Sequence, residues 1–395
     1  MGFLDKPRRL WWRKAIFQIH LWVGLVLCLY VLIIGVTGSI LVFESEIEHV
    51  VYSHLWRSSS ATYTAGPETA NFPTVINTLK REYPNYQITA AFMPDKAGDN
   101  FEVFVHKNEQ FRYVFLDEKT GRIVGDIDPD HSWLIWIIDL HFRLLAGRIG
   151  SILNGIGAAC LLLLCFTGAI VWWSGWKHWT RGLKVNFHKS WKRINFDLHS
   201  SVGFWTLLIL SMWAFSGVYF VWPNPIESFV NRFSSVASAN PPKFVVPSQS
   251  DKPWVDLSTM IQQAERSSPN ASFAGAFFPN SDRIALTLLM ARGARRDFTQ
   301  MDYIYFDPAT GRQLTLWHRG VTDTWGAKFI FWLSPLHFGY DWGLAIKIIW
   351  AVLGCALPLL SITGVLVYWN RSLSKKWKAL KEGAPGRPTV NSHNH

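Results

Sequence analysis

The sequence predicts a membrane protein: a four-helix transmembrane bundle with two α+β domains outside the bilayer, built by internal duplication. Three observations carry that expectation. Hydrophobic residues make up 49% of the chain and charged residues only 17%, against roughly 25% charged in a soluble domain. Four apolar runs, near 19–43, 149–173, 202–222 and 344–369, each reach the about 20 residues that cross a hydrocarbon core. Sliding the chain so that His20 lies on His199 also lays Phe17, Val23, Gly24, Gly38, Val42, Ile47 and Glu48 on Phe196, Val202, Gly203, Gly217, Val221, Ile226 and Glu227 without a gap, the mark of a repeat.

The first run follows Arg8, Arg9, Arg13 and Lys14, as a secretory signal would. Its apolar core exceeds the usual about 7–15 residues, and no small-x-small cleavage site follows, so it is read as a retained anchor. Lys and Arg concentrate in the N-terminal tail, in the link between spans two and three (Lys177, Arg181, Lys184, Lys189, Lys192, Arg193) and in the C-terminal tail (Arg371, Lys375, Lys376, Lys378, Lys381). By the positive-inside rule both termini are cytoplasmic. These segments account for most of the net charge of +11, which points to orientation and lipid headgroups, not to nucleic acid. Cys28, Cys160, Cys165 and Cys355 all fall in the spans, leaving no disulfide framework and no C-x-x-C pair. Trp172, Trp173, Trp176 and Trp179 read as an interfacial belt.

The resulting partition is 1–43 for the tail and first span, 44–140 for the first outer domain, 141–176 for the second span and 177–198 for the inner link. The third span follows at 199–222, the second outer domain at 223–336, the fourth span at 337–370 and the inner tail at 371–395. In the first outer domain, 72–83 has helical spacing and stops at Pro84-Asn85, after which 101–106, 111–116 and 122–126 read as short strands. The second domain repeats the plan, with a helix at 257–266, a break at Pro269-Asn270 and strands at 284–290, 299–306 and 312–317. Asp117 with Thr120-Gly121-Arg122 and Asp307 with Thr310-Gly311-Arg312 are hairpin turns whose residues have a structural reason. The Ser- and Pro-rich stretch 234–252 reads as a linker.

Spans two and four also match. Leu140-His141-Phe142 lies on Leu336-His337-Phe338, and Thr167-Gly168, Val171 and Trp173 on Thr363-Gly364, Val367 and Trp369. Each copy holds an even number of spans, so the two run parallel, related by an axis along the membrane normal.

Of 13 histidines, His20, His141, His199 and His337 recur with the repeat. Spans one and three leave the cytoplasm, so His20 and His199 belong to the inner face; spans two and four leave the outside, so His141 and His337 belong to the outer face. One histidine at an interface reads as an amphipathic anchor. Two matched pairs at two depths read instead as ligands, because imidazoles on facing helices clamp a planar haem from both sides. Gly24 and Gly203 lie one turn beyond His20 and His199 on the same face, where a macrocycle approaches the backbone. Gly38, Gly217, Gly168 and Gly364 serve either the opposite rim of a haem or close helix packing, with packing the favoured reading. No third or fourth Cys, His or carboxylate joins either pair, which argues against zinc. A helix from His20 to Gly38 rises about 27 Å, so two haem b groups, each bis-histidine, would form a path across the core. His49, His54, His106, His131 and His318 lie outside as iron ligands or proton donors or, by default, as surface residues; His178 and His188 lie in the basic inner link, either meeting an electron donor or solvated or lipid-facing; and His393 and His395 lie in a polar tail.

The run His20-Leu21-Trp22-Val23-Gly24 into Thr37-Gly38-Ser39, the helix-plus-hairpin domain ending in Asp-x-x-Thr-Gly-Arg, and Leu140-His141-Phe142 into Thr167-Gly168 resemble the PepSY-associated transmembrane helix family over nearly the whole chain. That family includes inner-membrane reductases of ferric siderophores. The resemblance implies two periplasmic PepSY-like domains, a bacterial inner-membrane location and a ferric siderophore as periplasmic substrate, reduced to release Fe(II). No Gly-rich dinucleotide fingerprint is present, so the electron donor is a separate cytoplasmic partner or the quinone pool. Two alternatives stand beside this reading. One is a non-enzymatic membrane receptor or regulator gripping a partner with its paired outer domains. The other is a haem carrier that serves a different periplasmic or quinone acceptor.

Overall fold

A computed structural model describes residues 10–57, 70–108, 110–242, 255–279, 285–339, 342–374 and 377. The chain divides into two compact units. One comprises Met1–Ile40, Arg148–Val221 and Ile348–His395, the other Leu41–Gly147 and Trp222–Lys347.

The first unit is the helical bundle. It contains α1 (Trp11–Leu41), α6 (Gly147–Trp172), α7 (Trp191–Val221) and the pair α11 (Gly343–Gly354) and α12 (Ala356–Tyr368). Among the described residues four helices are long and apolar enough to cross a membrane, α11 and α12 together forming the fourth. Their outward faces are apolar: Val26 is 80% exposed and Leu208 84%, which suits lipid and not water. Polar groups turn inward, where Thr167, Thr206, Ser216 and Thr363 are buried. Each of these hydroxyls donates to the carbonyl four residues earlier, the usual way a helix in lipid satisfies them. Gly217 sits against Ala158, and Gly35 lies so close to Leu357 and Pro358 that a Cβ there would collide with both.

The second unit holds eight strands in one antiparallel sheet, ordered β4-β3-β2-β1-β5-β6-β7-β8. β1 (Gln87–Phe92), β2 (Phe101–Lys107), β3 (Gln110–Leu116) and β4 (Ile123–Ile127) come from the first copy. β5 (Ser272–Phe277), β6 (Leu286–Ala291), β7 (Met301–Phe306) and β8 (Gln313–His318) come from the second. The two expected domains are therefore halves of one sheet, joined where β1 pairs β5 with Ala90 opposite Phe277, Ala91 opposite Ala276 and Phe92 opposite Gly275. The register is symmetric about Ala91 and Ala276. Gly275 has φ +154, and a Cβ there would strike the Ala91 carbonyl, so only glycine lets the halves approach this closely.

One sheet face is covered by α4 (Phe72–Glu82) and α9 (Leu257–Ser267). These bury Val75, Ile76 and Leu79, and Met260 and Ala264, in a single core with Val103, Leu116, Leu288 and Ile304. Both helices begin on a side-chain cap: Asn71 accepts from the Thr74 amide at 2.9 Å and Asp256 from the Thr259 amide at 3.3 Å, contributing about 1 kcal/mol each. The turn aspartates behave as expected. Asp117 accepts from the Lys119 and Thr120 amides, Asp307 accepts from the Ala309 amide, and Gly121 and Gly311 take φ of +64 and +68.

Short helices flank the spans: α2 (Glu44–Val51), α3 (Ser53–Trp56), α5 (Trp133–Arg143), α8 (Pro223–Asn231) and α10 (Trp325–Phe338). The second and fourth membrane helices start at Gly147 and Gly343, not at 141 and 337. The backbone turns left-handed at Leu144 and Leu145, and again at Gly339 and Gly343, which ends one helix before the next begins. Within 234–252 the described part contains one 3-10 turn, Ala237–Ala239; residues 243–254 lie outside the described residues.

Candidate functional site

The bundle brings His20 and His199 together. Their ring centroids are 6.4 Å apart with the planes at 76°. Each ring is seated on the other membrane helix of its own copy. His20 Nδ1 lies 3.0 Å from Thr167 Oγ1 on α6, and His199 Nδ1 lies 3.1 Å from Thr363 Oγ1 on α12. The next residue completes each seat: a Cβ on Gly168 would come within 3.2 Å of His20 Cε1, and one on Gly364 within 3.2 Å of His199 Cε1. The glycines thus make room for the imidazoles, a narrower task than the helix packing expected for them. Thr167 and Thr363 stood out in the sequence only as part of the repeat.

Both rings line a cavity of about 1410 Å³ that also includes Gly24, Gly203, Leu164 and Leu360. Gly24 and Gly203 face it with room to spare, since a Cβ at either would meet only a leucine methyl at 3.8 Å or 3.6 Å. Arg13, Lys177, Arg193 and Arg371 also border it. Arg13 donates to the Trp173 carbonyl at 3.0 Å, Arg193 pairs with the buried Asp197 at 2.9 Å, and Arg371 lies over the Phe17 ring.

The donor set fits a haem. His20 and His199, with ring centroids 6.4 Å apart, are the residues that would hold its iron. The cavity supplies apolar walls for a macrocycle and a cationic border for its carboxylates. Among the described residues no three His, Cys, Asp or Glu converge as a metal site.

His141 and His337 belong to the sheet unit. They occupy the last turns of α5 and α10, and the adjacent Phe142 and Phe338 rings stack at 6.3 Å. Burial pushes the His141 imidazole down to about 4. Burial first, then the neighbouring His141, pushes His337 down to about 3, so both are neutral near pH 7, as ligands must be.

The remaining histidines divide. His54, His131, His178, His188 and His318 are exposed, and His178 borders the inner cavity. His318 reaches Asp302 at 2.8 Å. His49 stacks on Trp56 at 4.1 Å, and His106 is half-buried, its Nδ1 turned inside without a hydrogen bond. His393 and His395 lie outside the described residues. Glu48 on α2 was not singled out as a chemical group. Burial, then Glu102 and Glu44, pushes its carboxyl up to about 8 against the opposing pull of Arg296, so it holds its proton at neutral pH.

A family model described as the PepSY-associated TM region matches residues 17–371. A search of curated proteins gives no match.

Proposed function

From the premise that the chain belongs to the PepSY-associated transmembrane region family, we propose that it is a di-haem oxidoreductase of the bacterial inner membrane. It carries electrons from the cytoplasmic side to the periplasm and reduces the iron of a ferric siderophore. The single observation that carries this reading is the His20–His199 pair, held 6.4 Å apart over a cavity large enough for a macrocycle. His20 and His199 would hold one haem b, and His141 and His337 a second. Iron held by two imidazoles keeps no position open for oxygen or substrate, so what the group supplies when bound is one-electron transfer.

The protein's own residues do the rest. The Thr-Gly seats orient the inner imidazoles, and the cavity's leucines exclude water. The helix orientation inferred from Lys and Arg sets the direction, from a cytoplasmic partner or quinol inward of His20 to an acceptor outward of His337. The substrate gains one electron as Fe(III) becomes Fe(II). Hard oxygen ligands hold Fe(II) less tightly, so the metal leaves an intact chelator. A ferric hydroxamate mixed anaerobically with the dithionite-reduced protein is the test. Oxidation of the protein with one Fe(II) trapped per electron is expected, and no oxidation by any ferric chelate would move the acceptor to another redox partner.

A further inference from the structure

We infer that Thr167 and Thr363 are positioning residues that fix the tautomer of His20 and His199, placing each ring's proton on Nδ1 and leaving Nε2 as the free lone pair. This rests on the haem reading above. Each threonine hydroxyl has one proton, and it is committed: Thr167 Oγ1 donates to the Leu163 carbonyl at 2.8 Å and Thr363 Oγ1 to the Leu359 carbonyl at 2.6 Å. Toward the imidazole each oxygen therefore offers a lone pair, and Nδ1, at 3.0 Å and 3.1 Å, must be the donor.

The consequence is directional. With Nδ1–H tied to the other membrane helix of its copy, each ring can bind a metal only through Nε2, and it cannot rotate without losing its bond. The donated hydrogen bond also makes the ligand nitrogen more basic. Thr206 bonds back to its own helix in the same way, so the back-bond is general; what distinguishes Thr167 and Thr363 is the imidazole on the other side. The arrangement occurs in both copies, with the glycine that admits the ring directly after each threonine.

Two measurements on the full chain test this. Nitrogen-15 NMR of histidine-labelled, haem-free protein in nanodiscs reads the tautomers directly and needs no substitution: Nδ1–H rings at His20 and His199 are expected, and Nε2–H rings overturn the inference. Haem titration followed by absorbance then compares Thr167→Val and Thr363→Val with Thr167→Ser and Thr363→Ser. The valine variants are expected to bind haem about 10- to 100-fold more weakly, with mixed tautomers at the affected ring, and the serine variants to restore both. Unchanged affinity and tautomer in the valine variants, or serine failing as valine does while helix content is intact, also overturns it. A wild type with the expected tautomers that takes up no haem contradicts the haem reading instead.

Discussion

The two units treat the same duplication in opposite ways. In the bundle, side-chain chemistry is repeated: His20 on Thr167-Gly168 and His199 on Thr363-Gly364, with hydrogen bonds of 3.0 Å and 3.1 Å and identical Cβ clearances. In the sheet, the hairpin turns are repeated with their aspartates, but the cross-strand pair beside them is not. The β3–β4 and β7–β8 hairpins share their register, down to a bulge beside Phe115 and beside Tyr305. Yet Arg112 pairs with Asp128 at 3.2 Å in the first copy, whereas at the same places in the second Asp302 pairs with His318 at 2.8 Å. The carboxylate has changed strands. A pair that only ties two strands together works with either polarity; a ring that must present one nitrogen does not.

This contrast is open to attack on each side. The largest effect is expected in the bundle. Gly168→Ala puts a methyl within 3.2 Å of His20 Cε1 and pushes the ring off its threonine. An overpacking cost of about 1–3 kcal/mol, borne by the ring in its ligating position, corresponds to haem held about 5- to 150-fold more weakly, and Gly364→Ala should match it, read by haem titration. Strongly unequal effects would break the equivalence of the two seats. The smallest effect is expected in the sheet. Arg112→Asp alone sets three carboxylates together with Asp126 and Asp128 and should cost about 1 kcal/mol, while Arg112→Asp with Asp128→Arg should return to within about 0.5 kcal/mol of wild type. Denaturant unfolding measures both, and a double variant as unstable as the single one would show that polarity matters there too.

Much of this was legible in the sequence because burial in lipid and turn chemistry leave strong patterns. The four spans follow from apolar length, and α4, α9 and the hairpin strands from helical spacing and Asp-x-x-Thr-Gly turns. The strands that fuse the halves were not legible. β1 and β5 carry Ala90, Ala91, Ala274, Gly275 and Ala276, small residues with poor strand propensity, used because two backbones meet there. The helix bearing His141 merged with its span because Leu144 and Leu145 turn left-handed without being glycine, whereas after His337 the break falls at Gly339 and Gly343, glycines that a long apolar run masked. The histidine pairs were visible as a repeat. Their seats were not, because a hydrogen bond from one helix to another has no signature along either.

Haem content in the purified full chain tests the central claim most directly. The dithionite-reduced protein should show sharp low-spin bands from two haems per chain, with one haem lost in His20→Ala and the other in His337→Ala. A colourless wild-type protein, or full haem retained in both variants, would contradict the account.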